Sequence, residues 1–584
     1  MKSFFKIVLG TIVGIVLLFL LLILFVFLMD TKPSYTKNQV LHLELDGEIK
    51  EKSETPKINE IIFYMEKPKP DLGQIIKALN YAKTDPKIEG VYIDAGIPAI
   101  GYSTANLLRK ALEDFKTSGK FVYAYADIFT PVSYYVSSVA DSIFFNPNGI
   151  VAIRGFGSSI PFIKEFTDNL GIKWNIFYAG QFKSATEPLR LNKMSEQNRL
   201  QLHEFFNGLY KITSDTLIHS RNLNRDSFEV FVDNFKGMFA TNALKYGLVD
   251  SLMHKIDFDY FLKQKAGIKP KKKLKLMEIG KYARNFVKLK PATTSKNKIA
   301  VLYMEGSIMD AGDKPGIISP EKFKKAFEDV LRKDKIKGVV VRVNSPGGSG
   351  SASDEILRSL DKIKEAGKPV IVSMGDYAAS GGYYISCHAD TIVADPNTLT
   401  GSIGVFGVFP DLSEMWDKKL KIHFDSVKTH KMALAFASEY SMDEDTKKLL
   451  QKYIEGFYEQ FLNVVAKGRN MTRDDVHEVA QGRIWLGLKA KELGLVDVMG
   501  DLNKAIEICA DKAGVEKYSL VKYPKTKSNF LTVLAQSLSE EASIENKILK
   551  SRYIKDLKPL LDVIQNESRI AKPQAAMPYV IKFD

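Results

Sequence analysis

The feature that most narrows what this chain can fold into is a repeat at a fixed offset. Residues 127–155 align with residues 376–404 without a gap, since 376 − 127 and 404 − 155 both equal 249. Along that register Tyr134-Tyr135 matches Tyr383-Tyr384, Ala140-Asp141 matches Ala389-Asp390, and Pro147-Asn148 matches Pro396-Asn397. Upstream, GVYIDAG at 90–96 answers GVVVRVN at 338–344, each preceded by Lys-Ile and one charged residue. Downstream, Gly247-Leu248-Val249-Asp250 answers Gly494-Leu495-Val496-Asp497. So many matches at one spacing mean a duplicated domain. The length agrees, because 584 residues exceed what one hydrophobic core ordinarily holds.

Each copy alternates short apolar runs with helical patterns. In the second copy the runs are 339–343, 370–374 and 391–394, and helical stretches fall at 351–365 and, outside the core, 443–467. Apolar β-branched runs between helices predict α/β architecture with largely parallel strands. The two cysteines, Cys387 and Cys509, lie far apart and the eight histidines are scattered, so neither a disulfide framework nor a metal site is expected.

Ahead of the repeat, residues 7–29 run without a charge, with Lys2 and Lys6 before them and Asp30 after. A run of that length spans a bilayer with some tilt, whereas the apolar region of a cleavable signal is shorter and ends in a small-x-small site that is missing here. A retained single-pass anchor is expected, with the lysine-bearing terminus in the cytoplasm and the body across the membrane. The chain then divides into a cytoplasmic terminus (1–6), a transmembrane helix (7–29), a first repeat (30–262), a basic linker (263–298), a second repeat (299–525) and a tail (526–584). Residues 261–298 hold 13 Lys and Arg against one acid, Glu278, or +12 of the chain's 83 − 69 = +14. With the body outside the cytoplasm, nucleic acid is no partner for that charge; a solvated linker or a contact with anionic lipid or an acidic partner is expected. The tail carries a helical stretch at 544–564 and an apolar end at 577–581 that reads as a contact for a neighbouring subunit.

The two copies differ where chemistry would lie. In the second, the apolar run 369–374 reads as a buried strand that ends in a turn at Gly375-Asp376, and the small residues 378–382 open a helix with Ser380 at its start. First-turn amides lack intrahelical acceptors and the dipole there favours negative charge, so an oxyanion beside Ser380 would be stabilised. A helix N-cap serine followed by packing glycines is the plain alternative. The strand 338–343, however, ends in Asn344-Ser345-Pro346-Gly347-Gly348-Ser349, which sets a Gly-rich loop of free amides beside a nucleophile, the arrangement acyl transfer needs. In the first copy Pro131 stands opposite Ser380, Val132-Ser133 opposite Gly381-Gly382, and Ala95-Gly96-Ile97-Pro98 replaces the glycine turn.

A serine nucleophile needs a base. His388 lies eight residues on and reads as structural, and His423 and His430 have no evident orienting acid. A desolvated, neutral lysine can serve. Lys183, after Ile176-Phe177-Tyr178-Ala179-Gly180-Gln181-Phe182, and Lys428, in Phe424-Asp425-Ser426-Val427-Lys428-Thr429, are near-equivalents in the repeat, and local context does not choose between them.

Four motifs together carry a resemblance over about residues 1–520: Ser-Gly-Gly-Tyr-Tyr from Ser380, Asn-Ser-Pro-Gly-Gly from Asn344, Thr-Gly-Ser-Ile-Gly-Val from Thr400, and Phe-Lys-Ser-Ala-Thr-Glu-Pro from Phe182. In combination they resemble the signal peptide peptidase A (protease IV) family in its long, duplicated, membrane-anchored form. The resemblance implies a ClpP/crotonase-like fold in both halves and a bowl-shaped homo-oligomer, a tetramer, on the exported side of a bacterial-type inner membrane. It also implies a serine/lysine dyad, without cofactor or metal, that cleaves signal peptides and other hydrophobic peptides. By the same resemblance Ser380 is the nucleophile, Lys183 the general base and acid, Ser402 the hydroxyl that orients the lysine, and Gly347, Gly348 and Gly381 supply oxyanion amides. Lys428 stands near the lysine of the short, unduplicated form and is the alternative base. Two other classes fit the fold type: an acyl-CoA hydratase or isomerase, which an exported location disfavours, and a non-catalytic membrane scaffold.

Overall fold

The computed structural model describes residues 37–53, 69–287 and 295–525, together with Gly10, Gly14 and the backbone of Gln574–Ala576. The anchor expected at 7–29 and nearly all of the tail lie outside the described residues. Among the described residues no helix is long and apolar enough to cross a membrane.

The first half contributes β1 (Gln39–Glu48), β2 (Ile88–Ala99), β3 (Phe121–Phe129), β4 (Ser142–Val151), β5 (Lys173–Ala179), β6 (Ser251–Leu252) and β7 (Leu276–Glu278). All but β5 form one sheet, ordered β6-β4-β3-β2-β1-β7, in which each pairing is parallel. The second half contributes β8 (Lys298–Glu305), β9 (Ser307–Ile308), β10 (Ile317–Ile318), β11 (Ile336–Ser345), β12 (Gly347–Ser349), β13 (Val370–Ala379), β14 (Thr391–Ala394), β15 (Leu399–Gly401), β16 (Val405–Asp411), β17 (Ile484–Leu486), β18 (Val498–Met499) and β19 (Ser519–Tyr523). Its main sheet runs β17-β15-β13-β11-β8-β19, with β14 and β18 branching from β13. Apart from the antiparallel β15–β17 pair it too is parallel. Central strands such as β11, whose apolar residues are buried on both faces, are what a parallel sheet with helices on each side demands.

The duplication is structural as well as sequential. β3 and β13 start at residues 121 and 370, and β4 and β14 at 142 and 391, both 249 apart. Helices Glu196–Arg221 and Glu444–Arg469 have 26 residues each. The second is capped by Asp443, whose side chain accepts from the Thr446 amide.

A third sheet joins the halves. Its order is β10-β9-β12-β20-β16-β5, where β20 is Gln574–Ala576 and β5 is the strand donated by the first half. β5 and β16 pair antiparallel from Lys173 opposite Asp411 to Ala179 opposite Val405. The cores interlock accordingly: Phe177 and Ala179 pack in the second half's core, while Ala379, Leu399, Ile484 and Leu486 pack in the first half's.

Two expectations change. The strand expected to end at Met374 continues to Ala379, because residues 377–379 find a new partner in β15. Asp376 is therefore not a turn residue. Its buried carboxylate accepts from the amides of Gly101 and Thr104 and from Thr104 Oγ1, at 3.1, 2.8 and 2.7 Å, fastening the start of helix Tyr102–Lys116 in the other half. Nor is the basic stretch a bare tether: β7 extends the first sheet, and helix Ile279–Asn285 buries Ile279 and Tyr282, whose hydroxyl reaches Asp85 at 2.6 Å.

Candidate active site

Ser380 sits where β13 ends and the one-turn helix Gly381–Tyr384 begins. Its backbone has φ 56° and ψ −117°, its amide donates to Gly401 O at 2.8 Å, and its side chain makes no capping bond. A non-glycine residue at positive φ costs free energy and persists only where its surroundings fix it. Ser402, which follows β15, has φ 53° and donates its amide to Arg483 O at 2.7 Å. Both strained serines point at one nitrogen.

That nitrogen is Nζ of Lys183, which donates to Ser380 Oγ at 2.9 Å, to Ser402 O at 3.0 Å and to Ser402 Oγ at 3.1 Å. β5 delivers it. After Ala179, the amide of Phe182 bonds Gln481 O of the second half at 2.8 Å, and Lys183 opens the short turn Ser184–Thr186. Gln201, on helix Glu196–Arg221, donates to Phe182 O at 3.0 Å and to Ser184 Oγ at 3.1 Å, holding the segment from behind. Gly482 clears the space: a Cβ there would lie 2.7 Å from both Cβ and N of Lys183.

Lys183 is 1 % exposed, and no carboxylate among the described residues offsets its burial. Burial therefore acts on it unopposed and lowers its pKa from the ordinary 10.5 to about 7. A lysine shifted this far holds a substantial unprotonated population at neutral pH, and that form can accept a proton. A serine hydroxyl and a lysine biased toward its neutral form are thus in hydrogen-bond contact, one from each half.

The glycines expected to serve an oxyanion flank this pair. Gly347 and Gly348 form most of β12, with φ 100° and 153°, conformations closed to most side chains. A Cβ on Gly348 would meet Ile308 O at 2.0 Å. The Gly347 amide donates to Ser345 Oγ at 3.1 Å. Gly381 is the first residue of its helix, so its N–H has no acceptor within it.

Lys428 lies elsewhere, exposed on the segment between β16 and helix Glu444–Arg469. His388 is fixed between Asp361, at 3.0 Å, and Val464 O, at 3.0 Å, and is structural. His423 does have an acid beside it, Asp417 at 2.8 Å, but both side chains are exposed. Among the described residues no cluster of His, Cys, Asp and Glu could hold a metal, and both cysteines are buried and free.

The model of peptidase family S49 matches the chain twice, at residues 114–269 and 362–516. The chain belongs to peptidase family S49. This S49 chain is 34% identical to Protease 4 of Haemophilus influenzae over 446 residues, covering 74% of this chain and 71% of that one. It is 33% identical to Protease 4 of Salmonella typhi over 466 residues, 77% and 74% of the two chains. It is 30% identical to the chloroplastic serine protease SPPA of Arabidopsis thaliana over 473 residues, 80% and 69%. The S49 chain is thus a serine peptidase with a duplicated α/β domain.

Three residues of the site had escaped sequence reasoning. Gln201 and Gly482 support Lys183 from positions remote in sequence, and no local pattern marks either. Asp376 carried a signal, an acid amid apolar and small residues, but was read as part of a turn.

Proposed function

We propose that this S49 peptidase is a membrane-anchored endopeptidase that cleaves signal peptides and other hydrophobic peptides with a Ser380/Lys183 dyad. The observation that carries the reading is the 2.9 Å contact between Ser380 Oγ and a lysine whose charge is disfavoured by burial alone. Neutral Lys183 takes the proton from Ser380 as Oγ attacks the scissile carbonyl. The oxyanion is held by amides of Gly347, Gly348 and Gly381, the Gly347 amide exchanging Ser345 Oγ for it. Lys183 then gives its proton to the departing amine, leaving an acyl-enzyme on Ser380. The same lysine activates the water that hydrolyses it. Ser402 orients Nζ through its carbonyl and hydroxyl.

An anchor at 7–29 with the body on the exported side of a bacterial-type inner membrane, and a ClpP/crotonase-like fold in each half, belong to the same reading. Assembly into a homo-oligomer, a tetramer, draws support from the exposed apolar side chains Leu420, Ile422, Phe424, Val427 and Phe436 on the segment before helix Glu444–Arg469.

The test is cleavage of a quenched hydrophobic signal-type peptide by the wild type, Ser380→Ala, Lys183→Met and Lys428→Met. Loss in the first two variants with near-normal turnover in the third is expected. Activity retained by Lys183→Met but lost by Lys428→Met would overturn the split dyad.

A further inference from the structure

The turn that brings Lys183 to Ser380 is gripped by one arginine of the second half. The guanidinium of Arg483 lies between two rings, its Cζ 4.8 Å from the ring centre of Phe182 and 4.3 Å from that of Trp485. Phe182 directly precedes the lysine, and Trp485 is anchored through its Nε1, which donates to Val479 O at 2.9 Å. Nη2 of Arg483 donates to Glu204, on the helix whose Gln201 holds Phe182 O. Gln201 reaches the arginine's own strand as well, because its Oε1 accepts from the Ile484 amide at 3.3 Å. The carbonyl of Arg483 is the acceptor of the Ser402 amide.

An ion pair alone does not account for this arginine. Glu204 is exposed, and pairs with an exposed partner contribute little. Nε of Arg483 is buried with no acceptor among the described residues, a loss that a side chain free to turn toward water would avoid. What the two rings hold is a flat cation, a shape that arginine has and lysine lacks. Outward from the base, Lys183 and Phe182 are buried, Arg483 is half-buried and Glu204 is exposed, so the contacts step from the lysine turn to solvent through this stack. Burial is the cause of the lowered Lys183 pKa, so whatever keeps the turn closed against water also sets the protonation of the base.

We propose that Arg483 is a positioning residue for the general base, and that its guanidinium, stacked on Phe182, keeps the lysine turn closed against water. This rests on the dyad reading above. Arg483 acts through Phe182 and through the backbone of Ser402, and by the plane of its side chain rather than by its charge.

The experiment compares the pH dependence of kcat/KM on the quenched peptide for the full-length wild type, Arg483→Lys and Arg483→Met. Water admitted to the turn returns part of the lysine's shift. In both variants the acidic limb should therefore move up by about one pH unit, lowering turnover at pH 6 about tenfold while the plateau above pH 9 falls less than about threefold. Loss of a neighbouring positive charge would also raise the lysine, but only in Arg483→Met. A limb that moves in that variant and stays in Arg483→Lys overturns the stacking role, and so does a limb unmoved in both, however far the plateau falls. The second arm needs no turnover. Urea stability with Lys183 and with Lys183→Met is compared from pH 5 to pH 11, in the otherwise wild-type chain and in the Arg483→Lys chain. The pH at which that difference begins to fade marks the titration of the folded lysine, and it should lie about one unit higher with Arg483→Lys. If the dyad reading itself fails, no chain turns over, while an equal onset in the two backgrounds still overturns the role of Arg483.

Discussion

Replacing Lys183 with methionine should abolish cleavage and, at neutral pH, make the protein more stable. Lys183 titrates at about 7 in the folded chain against 10.5 for an unhindered lysine. Between those values the unfolded chain binds a proton that the folded chain gives up, so folding is opposed at neutral pH and the opposition fades as pH rises. The linkage amounts to about 4 kcal/mol at pH 7, about 2 kcal/mol at pH 9 and almost nothing above pH 11. Methionine of similar length fills the cavity without that cost, but it leaves Ser380 Oγ and both Ser402 oxygens without their donor. Losing those bonds costs about 1–3 kcal/mol, so the variant should gain about 1–3 kcal/mol at pH 7 and lose that advantage by about pH 9. Urea unfolding of both proteins at pH 7 and pH 9, followed by circular dichroism, measures the difference. A stability difference that does not move with pH would refute the argument, because it would mean that Lys183 carries the same protonation folded and unfolded.

The same titration governs turnover: kcat/KM should be about a hundredfold lower at pH 5 than on a plateau above pH 8, since only neutral Lys183 takes the serine proton, and a rate flat from pH 5 to pH 9 would exclude it as the base. Gly482→Ala places a methyl 2.7 Å from the Lys183 backbone at φ +79°, so kcat should fall at least about tenfold while the circular dichroism spectrum stays native; wild-type turnover would show that the lysine is not held from that side. Asp376→Ala strips the acceptor from three buried donors at the junction of the halves and should cost about 3 kcal/mol or more in urea unfolding, and a loss below about 1 kcal/mol would mean that the junction is held by packing alone.

What the sequence disclosed and what it hid follow from the range over which each signal acts. The repeat, the α/β alternation and Ser380 before Gly381-Gly382 are local patterns and could be read directly. The choice between Lys183 and Lys428 could not be made from residues alone, because desolvation is a property of the folded chain. Lys183 is shut behind Gly482 and Gln201, whereas Lys428 follows Val427, which is 99 % exposed. The basic stretch reads as a tether because its lysines outweigh the three-residue strand β7, which pairs with β1, more than 200 residues earlier. β20 is less legible still: Gln-Ala-Ala has neither periodicity nor β propensity, and only two waiting edges make it a strand.

The two copies also show what the site costs. At the position of Ser380 the first half has Pro131, which opens helix Pro131–Ser137 behind Thr130, a residue with φ −73° and a complete capping box. Ser380 has φ 56° and no cap. The first copy thus starts its helix in the ordinary way, and the second in a strained one. Strain of this kind survives only where something else depends on it, and here it aims Oγ out of the helix start at the lysine that the first copy supplies. β5 carries Lys183 across into the other half's sheet, so neither half by itself holds both Ser380 and Lys183. The paired residues Ala179 and Val405 therefore join two incomplete units into one peptidase, and the Asp376 junction helps hold together the halves that bring Ser380 and Lys183 into contact.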